Sequence, residues 1–266
     1  MTASAGYRLI DNDTTVLKAW FLHNSTWSGK NTSKLVADNA MRLKQRYNDN
    51  TFGIDLSNRF SGGTLKADAL AHYDNFNYCG GQSQAWDDNK QTIFTARIGA
   101  GWDGMANLSE GLLNYRLALH YNYTGLNRGL GEIASDAGLK ENSLQFAAGF
   151  DYDRTAASRL GIDLHGNFVN IKANGDVYQL THDSSKRSYG VLTLTPFYHV
   201  GSGMMHARLG ANVDFSFSDG AKIRLSPAVR LEFGIADGAA IYIDAQGGKR
   251  LNLLDNVYRY YRYSTP

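Results

Sequence analysis

Four sets of residues in this 266-residue chain have types and spacings that could do chemistry. Gly99-Ala100-Gly101-Trp102-Asp103-Gly104 matches the G-x-G-x-x-G pattern of dinucleotide sites. That chemistry needs a helix N-terminus inside a βαβ unit to hold the pyrophosphate. Here Met105 to Gly111 leads into another strand-like segment, so these glycines read as a strand end and a turn. Asp11/Asp13, Asp87/Asp88 and Asp151/Asp153 pair carboxylates as calcium sites do, but none has the spacing and closing Glu of an EF-hand loop. The histidines, His23, His72, His120, His165, His182, His199 and His206, include no H-E-x-x-H and no short metal-ligand spacing. His182-Asp183-Ser184 has the residue types of a hydrolytic triad, but in sequence along a loop, with no nucleophile elbow. These motifs predict no catalytic residue, no cofactor and no metal.

Composition narrows the class. Lys and Arg number 27 against 25 Asp and Glu, so no basic footprint for nucleic acid is present. No stretch approaches the ~20 consecutive apolar residues of a membrane helix. Tyr (16), Phe (12) and Gly (28) are abundant while Pro is limited to 3, which suits backbones held in β ladders. The single Cys79 allows no internal disulfide. Met1 to Gly6 has neither a positive n-region nor an apolar h-region, so no signal peptide is read there. A mature form or an excised fragment is expected.

Period-two alternation supplies the elements. After a short segment at Gly6–Ile10, strands are expected at Thr15–Trp27, Leu43–Phe60, Thr64–Tyr78, Thr92–Trp102, Leu113–Thr124 and Ser143–Asp153. Others follow at Arg159–Asn170, Tyr189–Val200, Met205–Phe217, Lys222–Phe233 and Ala239–Gln246. Most are near the ~9–11 residues that cross a bilayer at a tilt, and longer than the ~5–6 usual in soluble sheets. One face of each is apolar, as in Leu113, Tyr115, Leu117, Leu119, Tyr121 and Tyr123. The other is polar, as in Asn114, Arg116, His120 and Asn122. Aromatics gather at strand ends, among them Trp27, Tyr78, Trp102, Tyr121, Tyr123, Tyr152, Phe215 and Phe217. Short joins (Asp11–Thr14, Ser61–Gly63, Arg154–Ser158, Gly201–Gly203) alternate with long ones (Ser28–Arg42, Cys79–Gln91, Gly125–Asn142, Ile171–Ser188). Gly104–Gly111 is intermediate, and Ser218–Ala221 is short where a long join is due. Apolar-out, polar-in strands with aromatic girdles and two-sided loop lengths are the pattern of transmembrane β-barrels. The expected fold is all-β: an antiparallel up-and-down transmembrane β-barrel of about twelve strands, or a section of a larger barrel. It takes up residues 1–266 as one barrel region.

Leu17 to Gly29, with His23-Asn24-Ser25-Thr26 at its end, and Asn48-Asp49-Asn50 opening the next strand carry a resemblance. So do Asn77-Tyr78-Cys79-Gly80 and the tail from Asn256 to Tyr263. Together they resemble the β-barrel region of TonB-dependent-receptor-like outer-membrane proteins of anaerobic Gram-negative bacteria. Such receptors have a periplasmic plug domain and 22 strands; neither is read here, so the resemblance implies a fragment of a larger barrel or a reduced relative. The tail Leu251–Pro266 starts another loop or strand and lacks a terminal aromatic strand, which also suggests truncation.

The leading expectation is a bacterial outer-membrane barrel that passes, or helps to pass, polar solutes through a charged lumen. Asp55, Arg59, Arg97, Arg116, His120, Asp151, Asp163, His165, Arg208, Asp214, Arg224, Arg230 and Glu232 are expected to line it. Mixed signs argue against strong ion selectivity. The partners expected are outer-membrane lipid, a polar small-molecule solute and an energy-coupling or surface partner protein, with no nucleic acid. No enzymatic activity is expected. The alternatives are a structural or adhesive anchor whose external loops bind a partner, and a barrel lipase requiring one particular Ser and His.

Overall fold

The alternating segments become strands because each can bury or solvate a whole face at once, and a one-residue slip would exchange the faces. The computed structural model describes residues 1–28, 45–77, 90–127, 138–155, 157–173, 186–217, 222–236, 239–248, 251 and 253–254. Twelve strands run in chain order: β1 (Thr2–Asp11), β2 (Thr15–Ser28), β3 (Gln45–Phe60), β4 (Gly63–Asn77), β5 (Lys90–Leu108), β6 (Gly111–Leu126), β7 (Leu139–Thr155), β8 (Ser158–Ala173), β9 (Lys186–Ser202), β10 (Met205–Ser216), β11 (Ile223–Ala236) and β12 (Ala239–Gln246). They form one sheet in sequence order, every neighbour antiparallel. β1 pairs only with β2 and β12 only with β11 among the described residues, so the sheet is open.

Several strands exceed their expected bounds. β1 starts at Thr2, and β5 runs 19 residues through Gly99, Gly101 and Gly104. Those glycines are therefore mid-strand, not a strand end and turn. Ladder bonds use backbone groups alone, so polar flanks keep pairing where the apolar signal stops. Gly99 and Gly104 make room for neighbouring rings: a Cβ on Gly99 would collide with the His120 ring, and one on Gly104 with that of Tyr115. The turns are tight. Asn12 Oδ1 accepts from the amides of Thr14 (3.0 Å) and Thr15 (2.7 Å), an Asx-type reversal between β1 and β2. Gly203, at φ 60°, supplies the left-handed residue between β9 and β10.

These short turns lie at one end of the sheet, and the strand ends at Ser28, Gln45, Asn77, Lys90, Leu126, Leu139, Ala173 and Lys186 at the other. The long joins themselves, with Asp87, Asp88, His182 to Ser184, Tyr78 and residues 255–266, lie outside the described residues.

The register gives each face a single character. The outward row along β6, Leu113 to Tyr123, stands opposite Tyr152, Phe150, Ala148, Phe146, Leu144 and Asn142 of β7. Large apolar side chains lie open there, with Ile98 60% and Leu160 61% exposed. A contiguous open apolar face of this extent belongs against lipid or another protein. Rings mark its borders: Phe60 stacks on Trp102 near the short turns (5.7 Å between centroids). Phe94 meets Tyr123 (6.4 Å), and Phe168 meets Phe146 (6.4 Å) and Phe217 (5.6 Å), near the long-join end. Phe94 to Trp102 is nine residues of β5, comparable with the ~9–11 of a tilted bilayer crossing. Beyond the rings at the long-join end the first charged positions on this face include Lys140 and Lys172, directly opposite each other. No described helix is long and apolar enough to cross a membrane.

Candidate functional site

The polar face holds the chemistry. Cross-strand partners share a face, so Asp55↔Asp68, Asp68↔Gly99 and Gly99↔His120 put β3 to β6 in common register. Arg116↔Gly149, Gly149↔Asp163, His165↔Thr193, Thr193↔Asp214 and Asp214↔Arg224 carry the face on to β11. Followed along each strand by steps of two, this register sets all thirteen expected residues on one face.

Part of the set converges. Asp163 accepts from Arg208 (2.6 Å) and from Arg116 (3.4 Å), one carboxylate between two guanidiniums from β10 and β6. Arg116 also reaches Asp151 (3.6 Å), and Arg159 joins Asp151 (3.8 Å) to Asp153. The Arg208 guanidinium crosses the Phe197 ring at 3.9 Å from its centroid, a cation–π contact that orients it toward Asp163. Oδ1 of Asp151 is buried without a hydrogen-bond partner among the described residues. Over Ala118, Ala147 and Gly149 this cluster borders a recess of about 340 Å³, which His165 and Asp103 also line. Small side chains form its floor and charged ones its rim.

A second group forms around Asp68, which accepts from Arg97 (2.9 Å) and lies 3.3 Å from His120. The remaining residues are spread out. Asp55 accepts from Trp20 Nε1 (2.8 Å), and Asp214 from Thr193 Oγ1 (2.6 Å). Arg224 faces Asp214 in the register, and Arg230 lies 3.9 Å from Glu232 on its own strand. Arg59 borders a separate cavity of about 510 Å³ at the short-turn end. Lys66, Asp68, Asp103 and Arg159 were not in the expected set. Lys66 pairs with Asp103 at 2.5 Å, and Asp103 lies in the part of β5 beyond its expected end. The signal for Lys66 and Asp68 was present as parity with His72 along β4.

The polar face also has one apolar patch, at the long-join end. Tyr47, Phe76, Ile93, Leu126 and Leu139 are buried together with Leu254, which comes from beyond β12. The Leu254 amide donates to both carboxylate oxygens of Glu141 (3.1 and 3.2 Å), itself buried. The path from β12 begins with Asn212 of β10 donating to the Gly247 carbonyl (2.6 Å). Gly248 follows at φ 145° beside Asp214. Gly247 thus meets β10, Gly248 lies beside Asp214, and Leu254 packs on the polar face against β7.

No family model and no curated protein matches the chain. Solved structures do. The siderophore receptor PirA of Acinetobacter baumannii is 14% identical, with a TM-score of 0.66 over 88% of this chain and 38% of its own. A mutant of the ferric enterobactin receptor PfeA of Pseudomonas aeruginosa is 12% identical, at 0.64 over 89% and 39%. The outer membrane transporter YddB of Escherichia coli is 10% identical, at 0.57 over 88% and 36%. The chain spans about two fifths of the length of these structures. Its fold is that of part of the barrel wall in these receptor and transporter structures, an up-and-down antiparallel sheet left open.

Proposed function

We propose that the chain is part of the wall of a transport barrel in the bacterial outer membrane, its polar face helping polar solutes across. One observation carries this reading. The thirteen expected lining residues share one face, while the other face has no charged residue between its two aromatic borders among the described residues. In a bilayer the unpaired backbone groups of β1 and β12 must find partners, since lipid offers none. Further strands therefore complete the wall, and an energy-coupling partner protein is consistent with the receptors it resembles. The recess over Ala118 and Gly149, rimmed by guanidiniums and carboxylates, suits a small polar solute of either charge. The inner-face charges act by binding and screening, without catalysis.

Planar-bilayer recording of the completed barrel, this chain together with the further strands that close its wall, tests this. Conductance steps that carry both anions and cations are expected; a folded, inserted protein without steps would contradict passage. A second reading, a closed structural anchor, has the packing of Leu254 on the polar face at the long-join end in its favour. Conductance that appears only once residues 247–266 are removed would favour it.

A further inference from the structure

At the long-join end of the outward face, two strands bring a serine, a histidine and an asparagine into line. His23 and Ser25 are two apart on β2 and so share a face, and Asn50 of β3 stands directly opposite His23. Ser25 Oγ lies 3.0 Å from His23 Nε2, and His23 Nδ1 lies 2.8 Å from Asn50 Oδ1. Asn50 Nδ2 donates to Asn48 Oδ1 at 3.1 Å, which fixes the Asn50 amide with its oxygen toward the ring. Asn50 then accepts from Nδ1–H, and Nε2 is left with its lone pair toward the serine hydroxyl. Nucleophile, base and orienting group stand in the order, and within the ~2.6–3.2 Å reach, that nucleophilic acyl transfer requires. Asn48, directly opposite Ser25, has its amide oxygen engaged and its NH₂ available to a developing oxyanion.

Position names the substrate. One step toward the short turns, Phe21 and Phe52 pair across the strands and lie open, 39% and 46% exposed. Tyr73, opposite Asn50, is 42% exposed on the same face. In register Tyr73 also faces Phe94, one of the rings that border the apolar band. The three polar groups therefore sit where acyl chains end and ester carbonyls begin. We propose that Ser25, His23 and Asn50 hydrolyse an acyl ester of a bilayer lipid. This rests on the outward face lying in the membrane and is independent of what the polar face passes.

The chemistry balances without a further reactant. Ser25 Oγ attacks the ester carbonyl carbon while its proton passes to His23 Nε2. The carbonyl re-forms as the ester C–O bond breaks, and the imidazolium protonates the departing alcohol. Water then attacks the acyl-serine, giving a proton to Nε2. Collapse releases the fatty acid and returns the proton to Ser25 Oγ.

The test uses the full chain in mixed micelles of detergent and a fluorescent diacyl phosphatidylcholine, with a fluorophosphonate as active-serine probe. Fatty-acid release is expected. The probe should modify Ser25. Ser25→Ala and His23→Ala should each lower the rate roughly a thousand-fold or more, with the β-sheet circular dichroism unchanged. Asn50→Asp should retain activity that Asn50→Ala loses, since a carboxylate also accepts from Nδ1–H. Unmodified Ser25 in folded protein, or equal rates in wild type and Ser25→Ala, would overturn the proposal. Cleavage of a soluble short-chain ester but not the micellar lipid would overturn the substrate class. Failure of the folded chain to float with lipid vesicles would instead sink the membrane reading beneath it.

Discussion

At the scale of single residues, the polar face is a set of shared charges. Asp163 serves two guanidiniums whose side chains are 57% (Arg116) and 40% (Arg208) exposed. Pairs so open to water are each worth about 0–1 kcal/mol, so their weight falls on the local field and little on stability. Asp163→Asn should leave the unfolding midpoint almost unchanged while shifting the reversal potential under a KCl gradient toward anion passage. An unchanged reversal potential would show that this cluster does not face the permeation path. Membership of the face was legible in the sequence because parity along one strand is enough to assign it. Partnership was not. That Arg208 reaches past β9 to Asp163, that Lys66 meets Asp103, or that Asn50 stands beside His23 depends on register between strands. Alternation within one strand contains no such information.

At the scale of elements, glycines opposite rings decide how closely strands can carry bulky side chains. Gly161 sits beneath the Phe197 ring, and a Cβ there would lie 2.7 Å from a ring carbon and 2.8 Å from Asp151 Oδ1. Gly161→Val should cost about 1–3 kcal/mol, read as a lower urea midpoint, because the ring that supports Arg208 must move. A midpoint unchanged within error would mean that Phe197 has room to turn aside. The packing of Leu254 on β7 makes a second prediction at this scale. Leu254→Asp places a charge in the patch of Tyr47, Phe76 and Leu139, so position 254 should leave the sheet. Limited proteolysis should then cleave around it roughly ten-fold faster, for a loss of about 1.4 kcal/mol or more. Equal cleavage rates would show that the Glu141 contact does not hold it. Nothing in the local sequence announces this docking, since Leu251, Leu253 and Leu254 look like any apolar run and their target lies on five other strands.

For the whole molecule, strand number and up-and-down order followed from counting alternating segments, because a meander connects each strand to its neighbour. Openness was read only as one of two alternatives, a section of a larger barrel, since closure depends on curvature and on what β1 and β12 meet. The central claim is that one face of this sheet is wetted by lipid and the other by water. Single cysteines in a Cys79→Ser background test it most directly. Ala118→Cys lies in the polar recess, and Leu119→Cys, one residue on, replaces a side chain 51% exposed on the outward face. In lipid vesicles a membrane-impermeant maleimide should modify the Ala118→Cys protein and spare the Leu119→Cys protein, which a lipid-soluble maleimide should reach. Equal modification of both by the water-soluble reagent would contradict the account.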